Sequence, residues 1–93
     1  MINKNILLIR KRLDKLDNNL LNIIKRRTKL VDQVIRNKKF KKDIVDRKRI
    51  KIILKNIKIK SKKKNIDTKV TQKIWISMIN AFIDYEYRNF KKK

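Results

Sequence analysis

The feature that most constrains this chain is a seam of apolar residues in its first third, spaced alternately four and three residues apart. This heptad spacing is typical of a long α-helix that packs against another helix along one side. The chain contains no glycine and no proline, so nothing inside the pattern forces the helix to stop. The seam consists of Ile2, Ile6, Ile9, Leu13, Leu16, Leu20, Ile23, Leu30 and Val34.

The seam predicts one helix over about residues 4–39, roughly 54 Å long at about 1.5 Å per residue. The whole chain has 93 residues, enough for a single domain over residues 1–93 but too few to cover a helix of that length. We therefore expect a partner helix from a second copy of the chain.

Arg27 occupies the seam position between Ile23 and Leu30, where a leucine or isoleucine is expected. A guanidinium group keeps its charge in proteins, and burying it without a partner is unfavourable. A cation at the centre of the seam therefore requires an anion, either a carboxylate elsewhere in the fold or a bound ligand.

The residue types that are missing exclude several kinds of site. With no cysteine and no histidine, the chain offers no disulfide and no ordinary transition-metal site. The lack of glycine excludes a glycine-rich phosphate loop. No apolar run approaches the roughly 20 residues of a membrane span and no signal-peptide pattern is seen, so the cytoplasm is the expected compartment.

The net charge is +22, from 30 Lys and Arg against 8 Asp and Glu. Such a field attracts nucleic acid, anionic membranes and small anionic substrates. Isoleucine, lysine and asparagine also share AT-rich codons, and the lysines are spread over all three segments. We therefore favour an AT-rich gene, rather than a polyanion partner, as the origin of the excess of lysine.

Two further helices are predicted after a polar loop at residues 37–43. The second, over about 44–60, is capped by Asp43 or Asp46, and the alternation of lysine and isoleucine at its end is interpreted as helix rather than strand. Residues 61–65 form a lysine-rich connection, and Asp67 or Thr68 caps a third helix over about 67–91. The apolar faces are Ile50, Ile53, Leu54 and Ile57 on the second helix, and Trp75, Met78, Ile79, Phe82 and Phe90 on the third.

Glu86 lies on the apolar stripe of the third helix, four residues after Phe82. A glutamate at the rim, or one paired with Arg27, would explain it structurally. Two opposite charges on separate core-facing stripes favour instead a polar pocket. Lys38, nearly on the azimuth of Arg27, and Arg47, three residues before Ile50, are candidates to join it.

The chain resembles the all-helical class of chorismate mutase over about residues 6–90. The specific part is the first segment: the run Ile9-Arg10-Lys11-Arg12-Leu13-Asp14-Lys15-Leu16-Asp17, then Leu20-Leu21, Arg26-Arg27, Leu30, Val34 and Lys38. Asp46-Arg47, and Ile74-Trp75 followed by Glu86, are shorter matches.

This resemblance implies an all-α homodimer of three-helix protomers whose long first helices cross between the subunits. It implies the Claisen rearrangement of chorismate to prephenate, on the route to phenylalanine and tyrosine, with no cofactor, metal or covalent intermediate. The substrate carries two carboxylates, and negative charge grows on its ether oxygen in the transition state. Fixed cations and a hydrogen-bond donor near that oxygen are the groups this reaction needs.

By position, the resemblance assigns carboxylate binding to Arg27 of one subunit and to Arg10 from the neighbouring subunit. Lys38 would contact a carboxylate and the ether oxygen, and Arg47 would line the pocket. Guanidinium groups suit carboxylates because two N–H groups bind both oxygens.

Four positions depart from the pattern or depend on it. Bacterial relatives usually have glutamine where Glu86 stands and fungal ones glutamate, which must be protonated to donate to the ether oxygen. Lys48 replaces the glutamate that binds the ring hydroxyl, and Phe82 stands where a serine is often found. Ile44 falls near a backbone donor to that hydroxyl.

Two alternatives remain open at this point. Isochorismate-pyruvate lyases share this fold and cationic clamp and also lack the hydroxyl-binding glutamate. A basic helical nucleic-acid-binding protein would account for the charge, but the aromatic residues lie on an apolar stripe rather than among exposed cations, where bases could stack. We therefore expect a dianionic small-molecule substrate, with no specific nucleic acid and no membrane as partner.

Overall fold

The computed structural model describes residues 3–91, which fold into three α-helices with no β-strand among them. The first helix, α1, spans Lys4–Asn37, the second, α2, spans Arg47–Lys63, and the third, α3, spans Thr68–Asn89. A single 3-10 turn, Lys41–Asp43, lies between α1 and α2. The predicted all-α class with one long N-terminal helix is confirmed, and the lysine–isoleucine alternation at the end of α2 is helical. Ile2, the first position of the predicted seam, lies outside the described residues.

The chain divides into two compact units, Met1–Leu30 and Val31–Lys93. Within the first unit, residues 4–30 form one continuous helical segment, and every side chain of residues 3–30 except that of Thr28 is exposed. The exposed side chains include the seam: Leu16 is 61% exposed and Leu20 is 53% exposed. A single helix has nothing of its own to cover such a seam, and most helix stability in proteins comes from packing an apolar face.

The second unit contains the core, in which α2 packs against α3. Ile35 and Ile44 are its buried apolar residues. The predicted faces of α2 and α3 are all partly buried. The two helices therefore use the stripes that the sequence indicates.

Carboxylate caps begin both of these helices. Asp46, rather than Asp43, caps α2 by accepting a hydrogen bond from the Arg49 backbone N–H at 3.0 Å. Asp67, rather than Thr68, caps α3 by accepting from the Lys69 N–H at 2.8 Å. Each cap satisfies a backbone donor that has no partner within its helix.

The end of α2 differs from the prediction, since residues 61–63 are helical rather than part of a connection. The Ile66 N–H donates to the Ser61 carbonyl at 2.9 Å, and the Asn65 N–H to the Lys62 carbonyl at 3.2 Å. This is the Schellman arrangement, which needs a left-handed residue. Asn65 supplies it with φ 58°, in a chain that has no glycine.

Candidate active site

Lys38 and Glu86 form the polar centre of the second unit. The Lys38 Nζ donates to the Glu86 Oε1 at 3.1 Å and to the Ile44 carbonyl oxygen at 3.1 Å. The two side chains are only 20% and 11% exposed. No other ion pair within 4.0 Å occurs in the part of the chain that the structure describes. A partly buried pair of this kind is more strongly coupled than the exposed charges around it.

The end of α1 places Lys38 at this centre. The helix ends at Asn37, two residues before the predicted boundary. The Asn37 side chain donates to the Gln33 carbonyl at 2.8 Å, and the Lys38 N–H folds back to the Ile35 carbonyl at 3.1 Å. Lys38 therefore sits just beyond the helix, with its position fixed by its own backbone bond and by its two side-chain partners.

Glu86 keeps one oxygen for other contacts. Its Oε1 accepts from Lys38, whereas no hydrogen bond to Oε2 occurs within residues 3–91. No buried side-chain oxygen of these residues lacks a partner, so Oε2 is accessible to solvent. The pair therefore places an ammonium group beside a carboxyl oxygen that accepts no hydrogen bond from residues 3–91.

Ile44 contributes its backbone to the same centre. Its side chain is buried, at 3% exposure, and its carbonyl accepts from Lys38. Its N–H donates to the Lys41 carbonyl at 3.2 Å. The backbone donor expected to bind a ring hydroxyl is thus already used in the 3-10 turn, and a hydroxyl would have to share or displace that bond.

Arg47 and Lys48 are the first two residues of α2, and both side chains are exposed. They lie on an open depression of about 700 Å³. Lys48 forms no ion pair with Glu86 and is exposed to solvent. The depression is lined by Lys42, Asp43, Val45, Asp46, Arg47, Lys48 and Tyr87.

Phe82 is half-buried on α3, where its ring meets that of Tyr85 edge to face at 6.3 Å. The Tyr85 hydroxyl donates to the Asp32 Oδ1 at 2.6 Å, linking α3 to the end of α1. This hydrogen bond, together with loss of solvent and the charge of Asp32, raises the pKa of Tyr85, and Arg88 opposes the shift. The sequence analysis did not identify Asp32 or Tyr85. The scarcity of acidic residues in this chain was the only feature that could have indicated Asp32.

Arg10 and Arg27 lie on α1 in the first unit, and both are exposed. Neither forms an ion pair within residues 3–91. Ile23 is 50% exposed and Leu30 is 60% exposed beside Arg27, so this cation shares the exposure of the seam that it interrupts. Within the second unit, the ion-pair partner of Glu86 is Lys38.

The described residues include no group of three or more His, Cys, Asp or Glu side chains placed to hold a metal ion. None of the three helices is long and apolar enough to cross a membrane, as judged over residues 3–91.

Comparison with known proteins places the chain in a family. The family model for chorismate mutase type II matches residues 9–87, which include α2 and every candidate site residue. No curated protein and no solved structure matches the chain significantly. Because the match covers most of the sequence, this all-helical chain belongs to the chorismate mutase type II family.

Proposed function

We propose that this protein catalyses the rearrangement of chorismate to prephenate, a step toward phenylalanine and tyrosine. Membership of the family supports the reaction class. The observation that carries the proposal is the partly buried Lys38, held 3.1 Å from both Glu86 and the Ile44 carbonyl. An ammonium fixed in this way is an electrostatic group already in place before substrate arrives.

The reaction requires positioning rather than a cofactor. One C–O bond breaks while one C–C bond forms within the same molecule, so no atom or electron has to be supplied. The substrate must adopt a compact conformation that brings the two ends of the reacting system together. Charge then moves onto the ether oxygen, where a fixed cation lowers the barrier.

Lys38 has the geometry for that role. An ammonium group has three N–H donors, and two are already used by the protein. The third is free to point at the substrate, where a carboxylate and the ether oxygen are the acceptors in this mechanism. Glu86 in its protonated form supplies a second donor to the ether oxygen.

The arginines would hold the two carboxylates. Arg27 is proposed to bind one of them, and Arg10 of a second copy the other, because each is exposed and without an ion-pair partner in the described chain. Arg47, on the depression at the start of α2, would help to order the substrate. The apolar ring of Phe82 would exclude water from the neighbouring wall of the pocket.

The test is the rate of chorismate loss, followed by absorbance, for the parent protein and for Arg27→Ala. We expect kcat/KM to fall on the order of 10²-fold, because bidentate charge-assisted hydrogen bonds to a carboxylate contribute about 3 kcal/mol. Arg26→Ala is the matched control, since Arg26 is equally a helical, exposed arginine but lies off the seam.

Arg26→Ala should retain the parental rate. Equal rates for all three proteins would exclude the proposed clamp. Equal losses in both variants would mean that charge or helix stability, and not a specific contact, is responsible. Far-UV circular dichroism of each variant separates these outcomes from unfolding.

Lys48 favours one alternative reaction, isochorismate-pyruvate lyase. In the family pattern a glutamate binds the ring hydroxyl, and here an exposed lysine takes its place. Incubation with chorismate and with isochorismate separates the two activities, because prephenate marks the mutase and pyruvate the lyase. We place the mutase first, because the family model that matches the chain is that of chorismate mutase type II.

A further inference from the structure

Helix α2 concentrates positive charge in a way that composition alone does not explain. Residues 47–66 contain ten Lys or Arg and no Asp or Glu. All ten of these cations are exposed, because the apolar face of α2 packs against α3. Nucleotide bias accounts for the number of lysines in the chain but not for the absence of every acid from this segment.

Four of these lysines form a row, here called the lysine stripe: Lys51, Lys55, Lys58 and Lys62. Their spacing of four, three and four residues places them on one side of the helix over about 17 Å. None of them forms an ion pair with a residue of the described range 3–91. Four parallel ammonium groups raise one another's electrostatic energy, and a polyanion bound along the row would relieve that repulsion.

We propose that the lysine stripe is a docking surface for the phosphate backbone of nucleic acid, which it binds without sequence preference. Charge complementarity supports this partner, because a phosphate backbone presents a continuous row of negative charges to match the row of lysines. Helix α2 carries no aromatic residue, so it offers no platform on which bases could stack. Binding to the phosphate backbone reads no base sequence, so it agrees with the expectation that the protein has no specific nucleic-acid partner.

A lipid surface fits the stripe less well. Helices that lie in a membrane interface insert a broad apolar face beside their cations. The broad apolar face of α2 is already packed against α3. The exposed apolar residues of α2 are only Ile52 and Ile59, which is a small area for insertion.

The experiment measures binding of the full chain to a fluorescein-labelled DNA duplex of about 20 base pairs by anisotropy. If four lysines neutralise four phosphates, affinity should fall roughly 10²-fold between about 50 and 200 mM salt. Replacing all four stripe lysines by glutamine should weaken binding at about 50 mM salt by at least tenfold and flatten the salt dependence accordingly. Glutamine keeps the helix propensity of lysine, and circular dichroism checks the fold.

The matched control replaces Lys11, Lys15, Lys25 and Lys29 of α1 by glutamine. It removes the same charge from equally exposed helical positions, on a helix that also carries Asp14, Asp17 and Asp32. We expect this control to bind DNA within about threefold of the parent protein. Equal losses in the two variants would overturn the proposal, because net charge would then be sufficient.

In the second part of the experiment, binding of the same proteins is measured to vesicles of phosphatidylcholine and phosphatidylserine. Stripe-dependent binding to these vesicles, without stripe-dependent binding to DNA, would overturn nucleic acid as the partner. The experiment involves no turnover of chorismate, so its result is independent of the proposed enzymatic function.

Discussion

At the scale of single residues, the protonation of Glu86 decides what it can do for the reaction. An ionised carboxylate only accepts hydrogen bonds, whereas a protonated one also donates. In the structure Glu86 accepts from Lys38 at 3.1 Å and keeps Oε2 accessible. A charged Oε2 would repel the ether oxygen of the transition state, so the proposed donor is the protonated form.

The first prediction concerns the pH dependence of turnover. If Glu86 is the donor, kcat/KM of the parent protein should be higher in acid than in base, because only a protonated carboxyl group can donate to the ether oxygen. Glu86→Gln should flatten this profile, because an amide N–H₂ donates at every pH. Asp84→Asn, an exposed position two residues away on α3, is the control and should keep the parental profile. A Glu86→Gln profile with the parental slope would remove Glu86 from the donor role.

A charge within an apolar pattern indicated Arg27 and Glu86 as candidates from the sequence. The structure places Glu86 in the polar centre of the second unit, whereas the role of Arg27 stays a prediction. The contact between Lys38 and Glu86 was not predictable, since it depends on α1 ending at Asn37 and on the Ile44 carbonyl. The hydrogen bond from Tyr85 to Asp32 joins residues far apart in sequence, with no periodicity to reveal it.

At the scale of helices, the positions of apolar residues and caps placed each boundary to within three residues. Asp46 and Asp67 begin α2 and α3 as candidate caps, and the predicted faces are the ones that pack. The end of α2 was placed too early because residues 61–65 are polar and no glycine marks a helix end. Ser61 is in fact 4% exposed, and it bonds to α3 rather than to solvent.

The second prediction concerns this buried contact between α2 and α3. The Ser61 Oγ lies 2.7 Å from the Thr71 Oγ1 and also donates to the Ile57 carbonyl at 2.7 Å. Ser61→Ala would leave Thr71 with only a long bond to the Thr68 carbonyl, at 3.4 Å. We expect the free energy of unfolding in urea to fall by about 1–3 kcal/mol, the range for a buried group that loses its partner.

Ser77→Ala is the matched control, because Ser77 is an exposed serine on α3. The free energy of unfolding of Ser77→Ala should lie within about 0.5 kcal/mol of the parental value. In the double variant Ser61→Ala/Thr71→Val the loss should be smaller than the sum of the single losses, since no hydroxyl is left unpaired. Equal effects of Ser61→Ala and Ser77→Ala would show that the contact does not stabilise the fold.

At the scale of the whole molecule, the apolar seam of α1 requires a cover. Its leucines are at least half exposed in the single chain, and burying one leucine side chain contributes about 1.5–3 kcal/mol. We propose that a second copy covers the seam, as the heptad spacing indicates. In a symmetric dimer each seam residue is buried twice.

The dimer predicts that Leu16→Lys weakens self-association by at least about 10²-fold, because a charge replaces a buried leucine in both copies. Asn18→Lys adds the same charge on the opposite side of α1 and should leave association unchanged. Sedimentation equilibrium over a range of protein concentrations gives both dissociation constants. A parent protein that sediments as a monomer at every concentration would contradict the covered seam.

A shared active site makes a stronger prediction than the dimer alone. If Arg10 acts in the neighbouring subunit and Arg27 in its own, neither Arg10→Ala nor Arg27→Ala homodimers contain an intact site. Mixing the two variants in equal amounts, with subunit exchange verified by native mass spectrometry, creates hybrids in which one of the two sites has both arginines. Half of the dimers are then hybrids, so roughly a quarter of the parental activity should return.

The control for this experiment is a mixture of Arg10→Ala with the double variant Arg10→Ala/Arg27→Ala. No hybrid of these two proteins carries both arginines at one site, so activity should stay at the level of the separate variants. If the activity of the mixture of Arg10→Ala and Arg27→Ala also stays at the level of the separate variants although subunit exchange is complete, Arg10 acts in its own subunit or in neither. The seam would then hold two copies together, but each active site would be formed by one chain. The side chains of that chain alone would have to bind both carboxylates of the substrate.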